Sequence, residues 1–121
     1  MNNENKLVKP MLFIKSTELG KTLGSEGIVK MLNMINEQPM RYSDIEKAVN
    51  IPKSTLIRHL NFLHEAKVLN KEPFFYNGRK THVYNLTNLG TGIINFFKRY
   101  ERINSVELSQ QKITEIITKT P

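Results

Sequence analysis

Cysteine is absent from the 121 residues, which excludes disulfides, thiolate metal sites, cysteine nucleophiles and thiol-based redox sensing. That lack suits a reducing compartment. No run of about eighteen apolar residues is present to span a bilayer, and the start, Met1 to Lys6, is polar and asparagine-rich. The expected location is the cytoplasm. Aspartate occurs only at Asp44, and the three histidines, His59, His64 and His82, show no HExxH or other paired ligand spacing. There is no phosphate-binding glycine loop either, so neither an enzyme nor a metal or other cofactor is expected. Acidic residues are also few: 11 Asp+Glu stand against 18 Lys+Arg, a net charge of +7. Such a balance favours an anionic partner, either nucleic acid or an acidic membrane surface. The length fits one domain with appendages.

Hydrophobic spacing supplies the elements. Leu7 to Leu23, with Leu7, Met11, Leu12, Ile14, Leu19 and Leu23 interrupted by Pro10 and Gly20, reads as a partly helical lead-in. Gly24-Ser25 supplies a break and an N-cap, and Ile28, Met31, Leu32 and Ile35 then recur at the spacing of a helix with one buried face, ending near Gln38. Met40 to Tyr42 is long enough only for a bridging strand. Ser43-Asp44-Ile45-Glu46 is a capping box that starts a short second helix. The chain must reverse at Asn50, a residue that tolerates the left-handed conformation, and Ile51-Pro52 opens a third helix with the stripe Leu56, Leu60, Leu63 and Ala66. Two β-compatible runs follow, Lys71 to Tyr76 and Arg79 to Leu86, joined by Asn77-Gly78, a strong hairpin signal. Thr87 can cap a fourth helix with Ile93, Ile94, Phe97, Tyr100 and Ile103 as buried positions. Ser105 to Lys119 either continues that helix or forms a fifth. Helix, helix, tight turn, helix, hairpin, helix is the order of a winged helix-turn-helix, a mainly α fold (α-α-α-β-β-α) with a small β-hairpin wing.

The stretch Ser43 to Leu69, SDIEKAVNIPKSTLIRHLNFLHEAKVL, resembles the helix-turn-helix of winged-helix transcription regulators of the ArsR, MarR and HxlR type. Tyr84 to Gly90 resembles the "Y-x-L-T-x-x-G" passage that follows the wing in MarR and HxlR regulators. The resemblance covers residues 25 to 103. Two positions depart from the family pattern: glycine is usual where Asn50 and Lys67 stand, and because a lysine in a left-handed helix cap carries modest strain, a different end to the third helix is expected.

The fold implied by this resemblance lays the third helix in the DNA major groove, so that residues opposite its buried stripe reach base edges. These are Lys53, Ser54, Thr55, Ile57, Arg58 and Asn61. Arg58 can pair with guanine, Asn61 can read adenine and Ile57 can meet a thymine methyl, while Ser54 and Thr55 suit phosphate or base contacts. A merely solvated helix face is the plain alternative. His59 matches the histidine of the family's "R-H-L" pattern, where a structural role and a phosphate contact are both open. The hairpin tip, Asn77, Gly78, Arg79 and Lys80, puts two cations where a wing rides the backbone or dips into the minor groove. Phe74-Phe75-Tyr76 adds aromatic bulk on both faces of its strand, one for packing and the other for wing-root packing or contact. Arg41, Tyr42 and Ser43 are candidate phosphate anchors at the start of the second helix.

The resulting organisation is a lead-in segment (1–24), a winged helix-turn-helix DNA-binding domain (25–103) and a C-terminal helical tail (104–121). In MarR and HxlR relatives the flanking helices build a two-fold dimer, and this chain has both flanks. Phe96, Phe97, Tyr100, Ile103 and Val106 carry more apolar surface than one helix needs for its own domain. The tail, with two Lys and two Glu, has no net charge, so the basic surplus lies in the body of the chain. The expected function is sequence-specific binding of double-stranded DNA by a small homodimeric transcriptional regulator. A weakly specific architectural protein and a winged helix used for protein contact are the rival readings.

Overall fold

The computed structural model describes residues 16–119, with the helical backbone alone described over 105–119. The first described helix, α1 (16–23), is followed by α2 (Ile28–Glu37), β1 (Met40–Arg41), α3 (Tyr42–Ala48), α4 (Lys53–Glu65), β2 (Leu69–Tyr76), β3 (Arg79–Leu86) and α5 (Asn88–Lys119). Residues 16–23 of the lead-in are thus helical, while Leu7, Met11, Leu12 and Ile14 lie outside the described residues. The three strands form one antiparallel sheet in the order β1-β3-β2. This is the winged helix-turn-helix that the order of sequence signals predicts.

The core is the meeting place of the stripes. Ile28, Met31, Leu32 and Ile35 of α2 and Leu56, Leu60 and Leu63 of α4 are all buried, closed over by Ile45, Val68, Leu69, Tyr84 and Ile94. Burying an aliphatic side chain is worth about 1.5–3 kcal/mol, so these shared positions hold the helices and the base of the hairpin as one body. β2 begins two residues earlier than its β-compatible run because Leu69 pairs with Leu86 and Asn70 with Asn85 at the base of the ribbon.

Local starts differ from expectation. Ser25 does not cap α2; its hydroxyl donates to the Lys21 carbonyl at 2.9 Å, while Gly27, left-handed at φ 82, stands at the N-cap. A side chain would strain that backbone, which is why the break uses a glycine there. α3 begins at Tyr42 rather than after Ser43. The Asp44 carboxylate, three residues into the helix, accepts the Arg41 amide at 3.2 Å, a task the sequence pattern gives to Glu46 and the Ser43 amide. Asn50 is not left-handed either: the reversal runs through extended backbone, with Val49 at φ −113, ψ 147 and Pro52 at φ −54, ψ 142 as the N-cap of α4.

α4 keeps the left-handed closure despite the departure at Lys67, against the expectation of a different end. Lys67 sits at φ 65, its amide donates to the His64 carbonyl at 3.2 Å, and the Val68 amide reaches the Leu63 carbonyl at 2.9 Å. This is a Schellman closure with lysine in the glycine position, and the flanking Leu63 and Val68 are both fully buried in the core. α5 starts on Thr87, whose hydroxyl oxygen accepts the Gly90 amide at 3.0 Å and donates to the Lys67 carbonyl. It then runs as one helix to Lys119. Of its expected buried positions, Ile94 is buried and Ile93 and Phe97 are half-buried, but Tyr100 and Ile103 are 61% and 52% exposed. By that point the helix has run past the body of the domain.

Candidate nucleic-acid interface

α4 presents its unburied face to solvent. Lys53, Ser54, Ile57, Arg58 and Asn61 are exposed and Thr55 is half-buried. Ile57, at 40% exposure, stands toward the wing; Arg58 stands toward α1. The hairpin tip Asn77, Gly78, Arg79 and Lys80 is fully on the surface. Its turn has φ 51 at Asn77 and φ 74 at Gly78, the paired positive values of a type I′ hairpin, whose twist matches the flanking strands.

Between α4 and the wing runs a groove of about 260 Å³, bordered by Tyr42, Ile57, Leu60, Asn61, Lys71, Thr81, His82 and Tyr84. That is smaller than the cavities that enclose typical ligands, and it is open, so it joins two surfaces rather than storing a molecule. Lys71, with its ammonium 5.9 Å from the centre of the Tyr84 ring, and His82 are interface candidates that sequence reasoning missed. The alternation of the strand is the signal that finds them, because Lys71 and His82 share the parity of the Tyr84 face. On the other flank of α4, Arg58 and His59 face Lys21, Thr22 and Glu18 of α1. Burial first, and then the Arg58 charge, hold the half-buried His59 below the usual histidine range. A neutral imidazole there adds a donor but no charge.

The start of α3 is more committed than its sequence suggests. The Arg41 guanidinium makes two 3.0 Å hydrogen bonds to the Asp44 carboxylate and lies 3.9 Å from the centre of the Tyr76 ring. The bonds to Arg41 hold Asp44 below the ordinary carboxylate range. Arg41 therefore ties the wing to the helix-turn-helix. The half-buried Tyr42 hydroxyl makes no hydrogen bond of good geometry, and the Glu46 carboxylate, with burial second, raises its pKa. Ser43 is exposed. Among the described residues no group of His, Asp and Glu is placed to hold a metal ion, and no helix is long and apolar enough to cross a membrane.

Comparison with known proteins agrees with this architecture. Residues 25–71, from the end of α1 into β2, match the family profile of bacterial regulatory proteins of the arsR family. No curated relative matches the chain in sequence. Among solved structures, a protein assigned to the MarR family of transcriptional regulators from Enterococcus faecalis V583 is similar with a TM-score of 0.67 at 13% identity, covering 94% of this chain and 96% of that one. Another MarR-family protein, from Porphyromonas gingivalis W83, has a TM-score of 0.58 at 19% identity and coverage of 87% and 94%. The regulator ytfH from Salmonella typhimurium has a TM-score of 0.62 at 21% identity, covering 83% and 89%. The chain has the winged helix-turn-helix fold, with its arsR-family match confined to the helix-turn-helix and its whole fold shared with the MarR-family structures.

Proposed function

We propose that the chain is a cytoplasmic homodimeric transcriptional regulator that binds double-stranded DNA sequence-specifically, with α4 in the major groove and the wing along the backbone or minor groove. The observation that carries this reading is the exposed face of α4, where Ser54, Ile57, Arg58 and Asn61 are unburied and Ile57 and Asn61 border a groove against the wing, whose tip is basic. Arg58 and Asn61 have the donor and acceptor geometry for guanine and adenine edges, and Ile57 the apolar tip for a thymine methyl. Lys53, Arg79 and Lys80, with Ser54 and Thr55, supply phosphate contacts, which carry most of the affinity and make it salt-dependent. Arg41, Tyr42, Ser43, Asn77 and Gly78 complete the backbone contact at the start of α3 and at the turn, with Arg41 already braced by Asp44.

Dimerisation is supported by α5. Leu89, Phe96, Tyr100 and Ile103 are exposed and recur at the seven-, four- and three-residue intervals of a helix seam. Pairing α5, together with the N-terminal segment, across a two-fold axis would set two recognition helices on an inverted repeat.

Selection of binding sites from random duplex DNA with the purified chain tests the reading. An inverted repeat is expected. Arg58→Ala should weaken the selected duplex and relax preference at one base pair, about a tenfold effect or more, whereas Arg79→Ala should weaken selected and scrambled duplexes alike. Equal losses on every sequence for both variants would make this an architectural DNA binder, and no binding at low salt would move the function to protein contact.

A further inference from the structure

The three consecutive aromatics of β2 point to opposite sides of the wing, and the strand register says which. Phe74 and Tyr76 share one face with their partners Thr81 and Arg79, where the Tyr76 ring lies under the Arg41 guanidinium. Phe75 lies on the other face with its partner Lys80, in line with the Pro73–His82 and Lys71–Tyr84 pairs. Lys71, His82 and Tyr84 of that face border the groove against Ile57 and Asn61 of α4, with Thr81 the one bordering strand residue of opposite parity. Phe75 therefore continues, toward the tip, the wing face that looks onto the recognition helix. At 71% it is also the most exposed of the large apolar side chains described.

A ring held out in water calls for an occupant. A second β-strand fits poorly: β2 is a sheet edge, but Pro73 has no amide to offer and Lys71 and Glu72 keep charges along it. Cations share its face instead, with Lys80 directly opposite and Lys71 further down, while Arg79 lies next to Lys80 on the other face of the tip. An apolar wedge flanked by cations, on a hairpin thin enough to enter a groove, suits a polyanion whose stacked bases can be parted.

We propose that Phe75 is such a wedge, inserting from the minor-groove side at a base step next to the segment read by α4 and kinking the duplex while Lys80 and Arg79 hold the adjoining phosphates. The inference rests on the DNA-binding reading above and deepens it. Flexible pyrimidine–purine steps part most easily, so Phe75 imposes a sequence preference at base pairs that α4 does not touch.

The test uses the full chain and a duplex enriched from a random pool by the wild type, labelled at both ends for energy transfer, beside a scrambled duplex. Wild type is expected to bring the labelled ends together. Phe75→Ala should lower affinity about tenfold and leave the duplex straight. Phe75→Leu should keep most of the bend, because an aliphatic wedge also parts a step. Lys80→Ala should weaken binding and flatten its salt dependence while the bend remains. Melting temperatures of all three variants should match wild type, since these side chains lie on the surface. If wild type binds tightly but Phe75→Ala matches it in affinity and bend, the wedge alone is overturned. If Phe75→Ala instead loses self-association with the bend unchanged, the ring belongs to a contact between chains and the wedge is again overturned. If wild type binds no duplex at low salt, both the wedge and the reading beneath it fall.

Discussion

The passage Tyr84 to Gly90 shows how single residues position the interface. Tyr84 fills the core at the base of the wing, Leu86 packs beside it, and Thr87 both caps α5 and ties it to the Lys67 carbonyl. Gly90 completes the joint because there is no space for anything larger: a Cβ there would lie 2.3 Å from the Val68 carbonyl oxygen and 3.3 Å from two side-chain carbons of Leu86. Replacing a helical glycine by alanine ordinarily stabilises a helix by up to about 1 kcal/mol. Here the sign reverses. Gly90→Ala is expected to cost about 2–3 kcal/mol through overpacking against backbone, read as a lower urea midpoint at unchanged slope. A midpoint at or above that of wild type would show that the base of the wing can shift to make room.

At the level of elements, the recognition helix and the wing are set by their ends. The Schellman closure of α4 turns the chain directly into β2, so the angle between helix and wing depends on Lys67 holding φ 65. A left-handed conformation costs a side-chain-bearing residue about 1–2 kcal/mol relative to the glycine the motif prefers. Lys67→Gly should therefore raise stability by about 1 kcal/mol, measured by thermal melting, whereas Lys67→Ala should stay close to wild type. Similar gains from both substitutions would trace the effect to the lysine charge and not to the backbone. Farther out, the stack of Arg41 on Tyr76 braces the wing from the side opposite Phe75, so the outer half of the ribbon is fixed on one face and open on the other.

For the whole molecule, the informative feature is what α5 leaves uncovered. Its first turns seat Ile94 in the core, while Phe96, at 64% exposure, Tyr100 and Ile103 face outward on a helix that continues to Lys119. In the proposed homodimer this apolar seam meets the second copy, and a charge placed in it would be left desolvated on pairing. Phe96→Glu should thus convert a dimer to a folded monomer in sedimentation, with an unchanged helical spectrum. Affinity for an inverted repeat should fall while affinity for a single half-site stays. A variant that still sediments as a dimer would place the interface elsewhere.

The lysine that closes α4 in a left-handed conformation was not legible from the chain, whereas the element order, the buried stripes of α2 and α4, the Asn77-Gly78 turn and the Thr87 cap all were. Each depends on residues within a few positions of one another, where periodicity, capping and turn chemistry operate. The starts of α2 and α3 were displaced because competing local caps exist, Ser25 against Gly27 and Ser43 with Glu46 against Arg41 with Asp44. Packing against the rest of the domain chose between them. Tyr100 and Ile103 carry the helical spacing of buried residues, yet burial depends on what stands opposite, and α5 outruns its own domain. The commitment of Arg41 to Tyr76 and the face on which Phe75 points are likewise beyond any local rule. They follow from strand register and from contacts between residues far apart in sequence, which only the folded sheet brings together.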